Sequence, residues 1–183
     1  MKIYIIFLFS LMSIVALGQN TMGLLSYDIS QTYMGHTLIY PHNQPDVFLI
    51  NNCGEIVHRW VDDDEFRPGN TAYLQADGTL IKTKRSSDIS GDAIWAGGAG
   101  TIVEIRSWEN ELLWTFEMND SINRLHHDIE PLPNGNILMI AWELIAEDEA
   151  IQAGRDPANM TQNEVWSEII IEVDPDTDEI VWE

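Results

Sequence analysis

The stretch "NRLHHDIEPLPNGNILMIAWE" sets two adjacent histidines, His126 and His127, directly ahead of Asp128 and just after Arg124, in a chain with 5 histidines in all. Imidazole exchanges a proton near neutral pH, a carboxylate can fix its tautomer, and a guanidinium holds oxyanions. The group therefore has the residue types for proton transfer to, or stabilisation of, an anionic substrate, with Asp128 expected to orient an imidazole. A shared metal ion is not expected: adjacent strand residues point to opposite faces, so His126 and His127 would not meet on one ion. The same alternation predicts that one of the two faces the site. His127 is favoured, because Asn70 aligns with it in an earlier copy of the same pattern. The structural alternative is that His and Asp tie neighbouring strands through bonds to backbone groups.

Three further clusters invite a chemical reading. Lys82, Lys84 and Arg85 in "LIKTKRSS" gather a third of the 9 basic side chains. Lys82 and Lys84 share a strand face, which is expected to be solvated, with attraction of an anionic substrate as the functional alternative. Asp62-Asp63-Asp64-Glu65 lacks the spaced oxygen ligands and turn glycine of a calcium loop, so a solvated loop is expected. Cys53 is the 1 cysteine present, which excludes an internal disulfide and a cysteine zinc site. It is expected to be buried in "LINNCGE", the alternative being a partner beyond residue 183. Asn119-Asp120-Ser121 and Asn159-Met160-Thr161 are glycosylation sequons.

The elements that must position these residues repeat along the chain. One unit is a strand, a turn and a strand ending in Trp: "DVFLINNCGEIVHRW", "GTIVEIRSWENELLWTFE" and "SEIIIEVDPDTDEIVWE", closed by Trp60, Trp114 and Trp182. The Asn/Asp/Gly/Pro clusters between their β-branched runs are hairpin signals. A second unit alternates with the first: "NTAYLQADGTLIKTK" matches "HDIEPLPNGNILMIA", aligned on Asp77-Gly78 and Asn134-Gly135, and a degraded copy enters its strand at Thr37. One second unit plus one first unit makes four antiparallel strands, and such sheets in tandem describe blades of a β-propeller. A sandwich would not need the same Trp-ended hairpin three times. About three blades are accounted for, whereas closed rings use roughly 4–8, so residues 19–183 read as the N-terminal part of a propeller domain. "SSDISGDAIWAGGAG" (86–100) is expected to be a loop. Within 143–166 a short helix is expected near 144–153, ended by Gly154 and Pro157. First strands of blades line the central channel, so residues opening them converge, and the His126–His127 pair opens such a strand.

Residues 1–18, one Lys and then an apolar run ending in Ala16-Leu17-Gly18, read as a signal peptide cleaved before Gln19. Export to the periplasm or the medium is expected. The run is shorter than the roughly 18 residues a membrane anchor needs. The formal net charge of −21 repels phosphate, which argues against nucleic acid and an anionic membrane as partners. An anionic substrate must then be held by a local positive site.

"GHTLIYPHNQPDVFLINNCGEIVHRW", "GGAGTIVEIRSWENELLW" and above all "LHHDIEPLPNGNILMIAWE" resemble the arylsulfate sulfotransferase family in its exported bacterial form, from about Gly35 to Glu183. The resemblance implies a six-bladed propeller that moves a sulfuryl group from a phenol sulfate donor to a phenol acceptor through a sulfohistidine, with no cofactor and no nucleotide sulfate donor. Matched by position, His127 would stabilise the sulfuryl oxyanion and transfer a proton, with His126, Asp128 and Arg124 as supporting substrate-binding residues. The family's nucleophilic histidine and its His-x-Asn strand have no match here and would be expected after residue 183, so this stretch alone should be inactive. "DPDTDEIVW" also resembles the Trp repeats of quinone-cofactor dehydrogenases, although Asp178 stands where those repeats carry glycine. A non-catalytic extracellular binding propeller is the third reading.

Overall fold

Along Val47–Asn51 and residues 137–141 buried and more open residues alternate, as half-buried strands require, and the Asx-type turns between runs return the chain antiparallel. The computed structural model describes residues 24–160 and 164–183. The expected leader (1–18) and Thr161 of the second sequon lie outside the described residues.

The chain is all-β, with three antiparallel sheets. The first is a meander of β1 (His36–Ile39), β2 (Val47–Asn51) and β3 (Ile56–Trp60). The second runs β4 (Phe66–Leu74), β5 (Leu80–Ser86), β6 (Ile102–Arg106), β7 (Leu112–Glu117), and the third β8 (Asn123–Pro131), β9 (Ile137–Ile145), β10 (Val165–Asp174), β11 (Glu179–Trp182). The order matches the expected four-stranded propeller-like blades, with the first sheet carrying three strands. The expected helix forms as α1 (Glu147–Gln152) and starts later than the sequence suggested, because β9 continues to Ile145. Residues 87–101 carry no strand, as expected.

The sheets stack face to face. Val47, Leu49 and Trp60 of the first sheet pack on Leu80, Ala72 and Leu74 of the second. The opposite face of the second sheet, with Tyr73, Ile81, Val103, Trp114 and Phe116, packs on Ile129, Ile137, Met139, Ile171 and Val173 of the third. Each fully buried Val, Ile or Met here contributes about 1.5–3 kcal/mol. The repeated tryptophans join successive sheets. Trp60 Nε1 donates to the Ser107 carbonyl in the β6–β7 turn at 3.0 Å, and Trp114 Nε1 donates to Asp178 Oδ1 in the β10–β11 turn at 2.6 Å. These turns occupy the same place in their sheets, which explains why the hairpin and its Trp recur together.

Three expectations are corrected. Lys82 and Lys84 are buried, not solvated. They face the first sheet, where Asp62 pairs with both, Glu104 pairs with Lys84 at 2.6 Å, and Arg106 Nε meets Glu104 at 2.8 Å. Asp62 therefore leaves the acidic run to serve as a buried counter-ion, and that run is not simply a solvated loop. Cys53 is exposed, because its amide donates to Asn51 Oδ1 and the tight turn directs its side chain outward.

Candidate functional site

The first strands of the second and third sheets, β4 and β8, are neighbours and carry the same irregularity. On β4 the pairing jumps from Pro68–Lys84 to Ala72–Lys82, so Gly69, Asn70 and Thr71 stand against Thr83 alone. On β8 it jumps from Leu125–Ala141 to Ile129–Met139, so His126, His127 and Asp128 stand against Ile140 alone. The middle residue of each bulge has a positive φ, 117° at Asn70 and 54° at His127. Few non-glycine residues tolerate that region, Asn and His being among those enriched there. The alignment of Asn70 with His127 is thus matched by the backbone.

Both residues reach one carbonyl. The Asn70 side-chain amide donates to Gly98 O at 2.6 Å, and the His127 backbone N–H donates to the same oxygen at 2.7 Å. Gly98 is at φ 85°, and a β-carbon there would lie 2.3 Å from His127 Nε2, so the imidazole edge rests on a surface that only glycine leaves open. The end of the glycine-rich loop is therefore clamped between the two bulges.

The bulge also overrides the strand alternation that kept the two histidines apart in the sequence reading. His126 Nδ1 and His127 Nδ1 lie 2.8 Å apart, so one donates and the other accepts a single proton. The His126 ring is buried and stacks on Trp142 at 4.2 Å, whereas His127 is exposed at the inner edge. Burial holds the pKa of His126 below its ordinary value, and the charge of His127 lowers it further. His126 Nε2 is buried with no hydrogen-bond partner among the described residues. No group of three or more metal-binding side chains occurs among the described residues.

Asp128 is brought to the pair but does not orient an imidazole, contrary to the expectation. Its Oδ1 accepts from Tyr73 Oη of the neighbouring sheet at 3.0 Å and from its own following amide, Ile129 N, at 2.9 Å. Arg124 is buried, not presented to the channel. It pairs with Asp92 at 2.5 Å, donates to Ile94 O at 2.6 Å and to Gly100 O at 3.2 Å, and leaves Nη2 buried without a partner. Its first role is to fasten the 87–101 loop across the strand mouths. Sequence reasoning missed Gly98 and Trp142. The Gly97-Gly98 pair in "WAGGAG" was the available signal for the first, and nothing in the pattern pointed to the second.

No family model matches the chain, and no curated protein matches it in sequence. Among solved structures it is similar to a crystal structure of a protein of unknown function from Bacteroides caccae, with a TM-score of 0.40 and 13% identity, over 80% of this chain and 56% of that one. The chain thus spans little more than half the length of that protein.

Proposed function

We propose that the chain is the histidine-bearing part of an exported arylsulfate sulfotransferase-like propeller, with His127 as the proton-transfer and oxyanion-stabilising residue. The observation that carries this reading is the Nδ1–Nδ1 hydrogen bond of 2.8 Å between His126 and His127 in the bulge within β8, which starts three residues before the pair rather than at it. When His126 Nδ1 donates, His127 is protonated at Nε2 and can donate to a sulfuryl oxygen or a leaving phenolate. When the proton sits on His127 Nδ1, its Nε2 is a base. One shared proton thus sets which role the exposed imidazole plays.

In the transfer, a nucleophilic histidine supplied from outside these 183 residues forms an N–S bond as the donor's aryl O–S bond breaks, and the leaving phenolate takes the Nε2 proton of a doubly protonated His127, which keeps its Nδ1–H on His126 Nδ1 and becomes neutral. In the return half, His127 accepts the acceptor phenol's proton while its oxygen attacks sulfur and releases the histidine. The split into two displacements follows the logic of covalent catalysis. His126, Asp128 and Arg124 support the site indirectly, through the relay, the Tyr73 bond and the loop. The phenol sulfate donor and phenol acceptor are the partners, with no cofactor.

The test is incubation of the natural full-length protein with 4-nitrophenyl sulfate, with and without a second phenol. Phenol-dependent release of nitrophenolate, reduced about a hundredfold or more by His127→Ala, is expected. Phenol-independent release identifies a sulfatase, and no release or an unaffected His127→Ala variant removes the transferase reading.

A further inference from the structure

The outer strand of every sheet opens on the same kinds of residue, a glutamate followed by two aliphatic side chains. Ile56 and Val57 begin β3, Leu112 and Leu113 begin β7, and Ile180 and Val181 follow the first residue of β11. These aliphatic side chains are between 44% and 59% exposed, and none belongs to the clusters packed between the sheets. The pairing slips at the same place in all three sheets: between Leu49–His58 and Ile50–Ile56, between Ile105–Trp114 and Arg106–Leu112, and between Glu172–Trp182 and Val173–Ile180. Val57, Leu113 and Val181 are the extra residues of these bulges.

The turn and the tryptophan of each hairpin serve sheet packing, whereas an aliphatic pair left in water does not. β3, β7 and β11 are outer edges that pair with no further strand among the described residues. A bulge re-aims edge side chains, and with a charge beside it blunts the edge against an added strand. The rim therefore offers side chains rather than a backbone ladder. Successive outer edges are neighbours: His58 of β3 reaches Trp108 O at 2.7 Å, and Trp114 of β7 reaches Asp178 Oδ1 at 2.6 Å. The aliphatic pairs thus form a broken apolar row along the rim, with one carboxylate beside each. Those carboxylates, Glu55, Glu111 and Glu179, are exposed, and none forms an ion pair among the described residues.

We propose that this rim docks a basic amphipathic helix of a partner protein, its aliphatic stripe on the three pairs and its lysines or arginines on Glu55, Glu111 and Glu179. An apolar patch that repeats with a carboxylate at every step is answered by a helix whose apolar stripe is flanked by cations. The spacing agrees: sheets packed face to face stand about 10 Å apart, and seven residues of α-helix rise about as far. An aliphatic residue every two turns therefore meets the pairs in succession. The net charge of −21 draws a cationic partner and repels a second copy of the chain. In the third sheet the row lies on β11, at the edge opposite β8 and its histidine pair, so the proposal does not depend on sulfuryl transfer.

The probe is a fluorophore-labelled, amidated peptide of three Leu-Lys-Lys-Leu-Leu-Lys-Lys heptads, titrated into the full chain at physiological ionic strength and followed by anisotropy. A control peptide with serine at every leucine keeps the charge and loses the stripe. Saturable binding of the leucine peptide with a Kd of about 100 μM or tighter is expected, the serine peptide binding about tenfold more weakly or worse. Ile56→Ser/Leu112→Ser/Ile180→Ser should erase that preference, bringing the two peptides within about twofold of each other. Glu111→Gln/Glu179→Gln should weaken the leucine peptide about threefold or more. Thermal unfolding confirms that each variant folds, and Leu113→Ser alone, expected to weaken the leucine peptide severalfold, stands in if the triple variant does not. Equal binding of the two peptides overturns the proposal, because net charge then explains everything. So does a preference for leucine that survives loss of the aliphatic side chains, or binding indifferent to the two glutamates.

Discussion

Asp62→Asn should be among the most damaging single-atom changes in the molecule. Its carboxylate pairs with Lys82, receives Lys84 Nζ at 3.3 Å and lies 3.6 Å from Arg106 Nη2. Lys82 is 0% exposed, and its other acceptor is Pro45 O at 3.4 Å. Three cations therefore share two carboxylates, and the substitution leaves them with Glu104 alone. Removing one partner of a buried pair costs about 3–5 kcal/mol because the stranded charge stays desolvated. With a urea m-value of about 2 kcal/mol/M, the midpoint should fall by about 2 M. The assay is equilibrium urea unfolding at pH 7 followed by tryptophan fluorescence. Asp62→Asn/Lys82→Met, which removes both charges, should recover much of the loss. The sign with pH is also fixed. Burial alone would raise the Asp62 pKa, but the hydrogen bond and charge of Lys82, helped by Lys84, hold it below the ordinary carboxylate value. A depressed carboxylate stabilises the fold above its unfolded pKa of about 3.9 and loses that contribution as pH falls through the folded value. Wild type should lose stability in that acid window, and Asp62→Asn should flatten the loss. A midpoint shift below about 0.3 M for Asp62→Asn, or a double variant no better than the single one, would refute the reasoning.

His126, whose pKa is held low by burial and then by His127, should stabilise the fold fully above its unfolded pKa of about 6.5 and progressively less as pH falls toward the folded value. His126→Phe should remove that slope in pH-dependent unfolding. Gly98→Ala sets a β-carbon 2.3 Å from His127 Nε2 at a φ of 85°, costing about 1–2 kcal/mol of backbone strain. It should also break the shared proton, read by nitrogen NMR of the two imidazoles, and an unchanged spectrum would show that the ring does not rest on Gly98. Trp114→Phe removes the bond to Asp178 that joins two sheets and should lower stability by about 0.5–1.5 kcal/mol. An unchanged urea midpoint would mean that this bond does not hold the sheets together.

The parts of the fold that repeat were legible in the sequence, because a turn and a tryptophan at fixed offsets mark each hairpin whatever packs around it. That is why Trp60 and Trp114 act alike in space, and why Asn70 could be matched to His127 before either backbone was seen. What alternation could not tell was which polar face meets another sheet. Lys82 and Lys84 fit a solvated face equally well until the first sheet covers them and Asp62 turns inward. Cys53 was expected to be buried although it stands in the Asn-Cys-Gly turn, where the Asn51 side chain takes its amide and the thiol stays outside. At the site, His127 was legible by alignment. The contact between the histidines was not, since it depends on a bulge that no glycine or proline announces.

That bulge is where structure becomes chemistry. On β4 it places Asn70, whose amide can only hold Gly98 O. On β8 the same backbone turn places an imidazole, and the extra residues swing its Nδ1 onto that of His126. In a regular strand the two rings would lie on opposite faces and titrate separately. Here one ring is buried against Trp142 and resists a charge, while the other is exposed. The two rings are therefore coupled through their shared proton, with any positive charge disfavoured on the buried His126. The strained φ at His127 is the cost of that coupling, and Gly98 is the residue that makes room for it.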